Sequence, residues 1–209
     1  MTTMNCHSVV LLGDWGVGKS SLLNAHITDV PQTKGISSTI GTSFCTLRPA
    51  TSQTRMSVCC WDTAGQERYK ALLPMYTRNA SAYICVVASS RQPSVEVIDD
   101  LIMSIIQHNE APNLCHIAVV HSKCDIGHNI IPELNGLIER IKDALTETGQ
   151  TINISVHESS ALKPSTCHPI FDACIRSIDE GLQHQQKNDV VIQLLDTPPV
   201  KLKKSHRCC

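Results

Sequence analysis

Apolar positions along this chain follow two alternating patterns. Short aliphatic runs bounded by turn residues occupy 9–13, 43–48, 55–62, 82–88, 116–121 and 151–158, and their length and boundaries predict six strands. Between them the period changes. Val95, Ile98, Ile102 and Ile105 recur at helical spacing, as do Leu134, Leu137, Ile138, Ile141 and Leu145, and later Ile170, Cys174 and Ile178. Each series lines one face of a helix. Strands alternating with helices imply an α/β domain whose mostly parallel sheet is covered on both sides. The second and third runs, joined by a short loop around 49–54, are placed to pair antiparallel. After about Gly181 the composition shifts to Gln, His, Asn, Asp and Pro, which predicts a flexible tail over 181–209.

Composition narrows this picture to one core. At 209 residues the chain has room for one ordinary domain plus that tail. Seven aromatics leave the core to aliphatic side chains and cysteine. A formal net charge of -1 argues against a nucleic-acid partner held by phosphate neutralisation. The longest apolar run, Ala82 to Ala88, is far too short to span a bilayer, and no secretory signal precedes Lys19. Eleven cysteines without a C-x-x-C pair, most of them inside apolar runs, read as small core residues of a reducing compartment. A zinc site is not expected.

Chemistry enters directly after the first strand. Residues 13–20, GDWGVGKS, match G-x-x-x-x-G-K-[ST] between a strand and a helix. In such a loop the backbone N–H groups of Gly13, Asp14, Trp15, Gly16, Val17 and Gly18 cradle phosphate oxygens, and the following helix adds its dipole. Lys19 reaches the β- and γ-phosphates, Ser20 offers its hydroxyl to Mg²⁺, and Ser21 follows in the first helical turn. Asp62, at the end of the third strand, stands where a magnesium partner belongs, acting through a water.

The segment around Asp62, WDTAGQER over 61–68, together with the phosphate loop and the Ser-Thr-Ile-Gly stretch at 38–41, resembles the Rab-type small GTPases of the Ras superfamily. The resemblance covers about 5–180 and the last two cysteines. It implies a three-layer P-loop NTPase (small G-protein) fold that binds GTP or GDP with Mg²⁺, hydrolyses GTP and acts as a switch in vesicle trafficking. Carried across position by position, Thr39 joins Mg²⁺ and senses the γ-phosphate, Gly65 offers that phosphate its backbone N–H, and Gln66 orients the attacking water. Lys19, Thr39 and Gln66 are therefore the expected catalytic residues.

At the base end the family pattern frays. Relatives carry N-K-x-D where this chain has Ser122, Lys123, Cys124 and Asp125. Asp125 is expected to accept from guanine N1–H and the exocyclic amine, which adenine cannot match, and Lys123 to lay its stem along the base. That preference opposes a P-loop kinase or ATPase. Ser122 has a shorter reach than the usual asparagine. Residues 158–161, ESSA, resemble the family's E-T-S-A-K loop, with Ser160 and Ala161 at the base and Leu162 in place of the lysine. Gln32 stands where many relatives place an aromatic against the nucleotide. These departures predict faster nucleotide release. Trp15 stands where relatives usually have Gly or Ser, and its indole is expected to crowd Gln66 and the entry of an activating protein's arginine unless it faces solvent. A slowly hydrolysing, GTP-loaded adaptor is the alternative that Trp15 keeps open.

The resemblance also implies partners. Phe44, Trp61 and Tyr76 match the aromatic triad that effectors read. Exchange-factor, GTPase-activating and prenyl-chaperone proteins follow from the same family logic, for a monomer. Cys208 and Cys209, after a basic stretch, match a double geranylgeranyl signal that would hold the protein on the cytoplasmic face of an intracellular membrane, with a cytosolic pool.

Overall fold

The aliphatic runs become β1 (His7–Leu12), β2 (Thr42–Leu47), β3 (Val58–Thr63), β4 (Ala82–Ala88), β5 (His116–Ser122) and β6 (Asn153–Ser159) of a single six-stranded sheet. This computed structural model describes residues 7–33, 37–47, 57–65, 73–88, 94–107, 113–126 and 131–195. The strand order is β2-β3-β1-β4-β5-β6, with β2 antiparallel to β3 and every other pairing parallel. Helices α1 (Lys19–Thr28), α2 (Leu73–Thr77), α3 (Ser94–Gln107), α4 (Ile131–Thr148) and α5 (His168–Leu195) connect and cover it.

The period-2 geometry of a strand divides the core in two. Val9 and Leu11 of β1 face one side and pack with Leu22 of α1 and with Ile170, Phe171 and Cys174 of α5. Val10 and Leu12 face the other, against Ile98 and Ile102 of α3 and Leu137 and Ile141 of α4. Because helices cover both faces, β4 and β5 are buried at every residue, which is why their sequences are nearly continuous apolar runs. The sheet therefore holds the C-terminal ends of β1, β3 and β5 along one rim, where ligands bind in open parallel sheets.

The last helix departs from expectation. It runs to Leu195 instead of yielding to a linker near Gly181, because 182–195 contains neither Gly nor Pro and is rich in Gln and Leu. Among the described residues no helix is long and apolar enough to cross a membrane.

A buried polar group makes the fold sensitive to acid. His116 on β5 is hydrogen-bonded through both ring nitrogens, Nδ1 to Ser177 Oγ and Nε2 to Ser155 Oγ, each at 2.8 Å. Burial, and secondarily the neighbouring His157, push its pKa down to about 4. The unfolded chain, with a histidine pKa near 6.5, binds this proton more readily than the native state. Stability from this site is complete above pH 6.5 and falls as pH drops towards 4. We expect a loss of about 2 kcal/mol over that interval in denaturant titrations, and a shallower slope for His116→Gln.

Candidate functional site

Strand β1 ends at Leu12, and the loop at 13–18 carries three positive φ angles, 149° at Gly13, 75° at Gly16 and 106° at Gly18, before α1 begins. At Gly13 space also matters, since an added Cβ would lie 2.4 Å from the carbonyl oxygen of Val86. Gly18 caps α1 without a side-chain hydrogen bond, so no side chain competes for the N–H groups of the first turn.

Lys19 is only 5% exposed, and its Nζ donates to the carbonyls of Gly13 and Asp14, both at 2.9 Å. Burial lowers its pKa to about 8, against the opposing pull of the Asp62 and Asp14 charges. A buried ammonium with a third N–H to donate is suited to an anion.

Beside it, Ser20 Oγ donates to Asp62 Oδ2 at 2.6 Å, Thr39 Oγ1 lies 3.2 Å from the same oxygen, and the two hydroxyls are 2.8 Å apart. Among the described residues Asp62 Oδ1 is buried without a hydrogen-bond partner, and burial raises the pKa of this carboxyl. Two hydroxyls and a carboxylate with an unsatisfied oxygen form an all-oxygen donor set, the kind a hard divalent cation such as Mg²⁺ prefers. The residues present therefore fit the ion.

Gly65 comes in from the end of β3. A Cβ there would meet Asp14 C at 2.4 Å and Asp14 O and Trp15 N at 2.5 Å, so only glycine lets this segment lie against the phosphate loop. Together these groups surround a cavity of ≈ 350 Å³, lined by Trp15, Gly16, Gly18, Lys19, Ser20, Ser21 and Gly65 and by Thr39, Gln32 and Lys123. Thr33, Ser37, Ser38 and Thr63 line it too; Ser38 and Thr63 sit inside sequence motifs that assign them no contact, and Thr33 and Ser37 lie outside every motif. Three of those four lie in a loop whose path to the site is set by the tertiary fold.

The base end is assembled from β5 and β6. Ser122 Oγ donates to Val17 O, with Val87 O a second acceptor 3.1 Å away, and Lys123 Nζ donates to Gly16 O at 2.7 Å. The short hydroxyl thus still braces the phosphate loop, because β5 ends close enough for it. Ser160 donates to Asp125 Oδ1, and Gln32 N donates to Ala161 O at 2.9 Å. Gln32 also accepts from Asn24 Nδ2 at 2.7 Å, so the residue in the aromatic's place is tied to both sides.

The sequence model described as "Ras family" matches residues 8–180. Rab-31 of Homo sapiens is 32% identical over 201 residues, covering 96% of both chains. Rab-22A of Homo sapiens is 37% identical over 118 residues, 56% of this chain and 59% of that protein. The GTP-binding protein ypt5 of Schizosaccharomyces pombe is 39% identical over 127 residues, 60% of this chain and 58% of its own. The chain is a Rab-type small GTPase of the Ras superfamily.

In this Rab-type GTPase the aromatic triad comes together. Trp61 contacts Phe44 with ring centroids 5.4 Å apart and Tyr76 with centroids 5.1 Å apart. Phe44 is 66% exposed, whereas Trp61 and Tyr76 are half-buried against the α3/α4 side of the core. Trp15 reaches across to the segment before Thr39. Its indole is 43% exposed, and Nε1–H donates to Ser38 Oγ at 3.0 Å, which joins the phosphate loop to the Thr39 segment. Gln66, Cys208 and Cys209 lie outside the described residues.

Proposed function

We propose that this GTPase binds GTP with Mg²⁺, hydrolyses it to GDP and uses the two states to recruit trafficking effectors on the cytoplasmic face of an intracellular membrane. The observation that carries the reading is the buried Lys19 cation beside the Ser20–Thr39–Asp62 oxygen cluster, with Lys19, Ser20 and Thr39 lining the cavity. In the mechanism this supports, the loop N–H groups and Lys19 hold the β- and γ-phosphates, while Ser20, Thr39 and Asp62 hold the ion. When bound, Mg²⁺ neutralises charge developing on the phosphate oxygens. Gly65 N–H senses the γ-phosphate, and Gln66 orients the water for in-line attack. Asp125 takes the guanine N1–H and amine, exchanging its Ser160 bond for theirs. Phe44, Trp61 and Tyr76 present the effector surface, open also to exchange factors and activating proteins.

A second reading, a slowly hydrolysing GTP-bound adaptor, is favoured by the Trp15–Ser38 bond, which ties the Thr39 segment down without needing the γ-phosphate. Identifying the nucleotide that co-purifies separates the two. GDP supports the cycling switch and GTP the adaptor, whereas ATP would overturn both. EDTA is expected to speed release of that nucleotide at least about tenfold, since an ion–phosphate contact worth roughly 1.5–3 kcal/mol is lost. An unchanged release rate would argue against the metal site.

Membrane attachment is proposed through geranylgeranyl groups on Cys208 and Cys209, delivered with a prenyl chaperone. Two chains anchor stably where one binds only reversibly. Deleting both cysteines should move the protein from the membrane fraction to the soluble fraction; unchanged sedimentation with membranes would remove this part of the reading.

A further inference from the structure

Outside the nucleotide site, two thiols meet across the antiparallel strand pair. Cys45 of β2 is directly opposite Cys60 of β3 in the ladder, one rung from the opposed Phe44 and Trp61. Opposed residues of such a pair lie about 4.5–5.5 Å apart at Cα, inside the roughly 4.4–6.8 Å range that disulfides span without backbone movement. Side chains of opposed residues also leave the sheet on the same face. Both thiols indeed pack with the α1/α5 side of the core, while the rings of Phe44 and Trp61 touch on the opposite face. Neither is oxidised here.

Their surroundings differ in a useful way. Cys60 is fully buried, but Cys45 is half-buried and lines a cavity of ≈ 560 Å³ under the β2 edge, which has Leu23 and Ile27 of α1 on its apolar side and borders the nucleotide site at Ser20, Thr39 and Asp62. A small solute can therefore reach Cys45 and not Cys60.

We propose that Cys45 and Cys60 form a peroxide-sensitive dithiol that closes into a cross-strand disulfide between β2 and β3. The Cys45 thiolate attacks one oxygen of hydrogen peroxide, the O–O bond breaks, and the departing hydroxide takes up the thiol proton as water. Cys45 is now a sulfenic acid. The sulfur of Cys60 attacks the Cys45 sulfur, the S–O bond breaks, and the leaving hydroxide takes the Cys60 proton as a second water. Two thiols have lost two electrons and two protons, and peroxide has been reduced to two waters. A thiol reductant reverses the bond by exchange. The crosslink would pin the strand pair that connects the Thr39 segment to Asp62, and it does not depend on the nucleotide reading.

The test is peptide mapping of the whole protein after graded hydrogen peroxide and alkylation of the remaining thiols. Exposed Cys124 serves as an internal reference. Cys59 faces away from the pair, opposite Thr46, so Cys59→Ser resolves which neighbour is joined. The expected product joins the Cys45 and Cys60 fragments, two hydrogens lighter, at peroxide levels that leave Cys124 alkylatable. It should survive Cys59→Ser and be reversed by dithiothreitol. In Cys60→Ala, dimedone should instead trap a sulfenic acid on Cys45. The proposal is overturned if Cys124 oxidises first, if Cys60 is found joined to Cys174 of α5, or if both thiols remain alkylatable throughout. Because mapping uses the wild-type chain, a variant that fails to fold leaves the test intact.

Discussion

Replacing Lys19 by methionine is expected to weaken GTP binding about a thousandfold while leaving the empty domain folded. Charge-assisted hydrogen bonds are worth about 1.5–3 kcal/mol each, and the loss of contacts to two phosphates removes about 3–6 kcal/mol of binding. The effect on the fold should be small or of opposite sign. Lys19 is a buried cation whose pKa is already pushed down to about 8 by desolvation, and methionine fills the same space without that cost. Its two bonds to the Gly13 and Asp14 carbonyls are lost in the exchange. Titration with a fluorescent GTP analogue measures the first effect and thermal denaturation the second. A loss of affinity under tenfold would mean that Lys19 does not face the phosphates.

Trp15→Ser should accelerate single-turnover GTP hydrolysis, modestly alone and by up to about 10³-fold with an activating protein present. An inserted arginine is worth about 10³ to 10⁵ in rate, and an indole beside its entry path blocks most of that gain. Two physical effects are removed together, the bulk of the ring and the Nε1–H bond to Ser38 Oγ at 3.0 Å. Trp15→Phe separates them, because it keeps an aromatic ring and deletes the donor. A slow Trp15→Phe assigns the effect to bulk. A fast one assigns it to the tether on the Thr39 segment. Equal rates for wild type and Trp15→Ser, with and without the activating protein, would show that the indole restrains neither the water nor the arginine.

The local rules of the chain carried the fold. Strand and helix periodicity placed all six strands within a few residues, and the loop at 13–20 stood out because strand, glycines, lysine and hydroxyl occur in one short segment. The end of α5 is not legible locally, because a polar composition predicts flexibility whereas a helix needs only the absence of breakers and a docked first half. At the site, residues with a fixed place in a motif were legible. Lys19, Ser20, Thr39 and Asp62 do converge, although 42 residues separate Ser20 from Asp62 in the chain.

What the sequence determined by itself, then, was whatever short-range pattern encodes: the alternation of elements, the glycines that permit the phosphate loop, and the oxygen and ammonium groups placed on it. Only the tertiary structure decided contacts whose partners are remote. That Ser122 can still brace Val17 depends on how closely β5 approaches the phosphate loop, across 105 residues of sequence. That Trp15 turns to Ser38, and that Gln32 is held by Asn24 and Ala161, depends on the course of the loop before Thr39. The opposition of Cys45 and Cys60 is a matter of register, in which a slip of one residue would have sent one of the two thiols to the other face of the sheet. Side-chain reach is a few ångströms, so such contacts are set by the spacing of packed elements and not by any spacing along the chain.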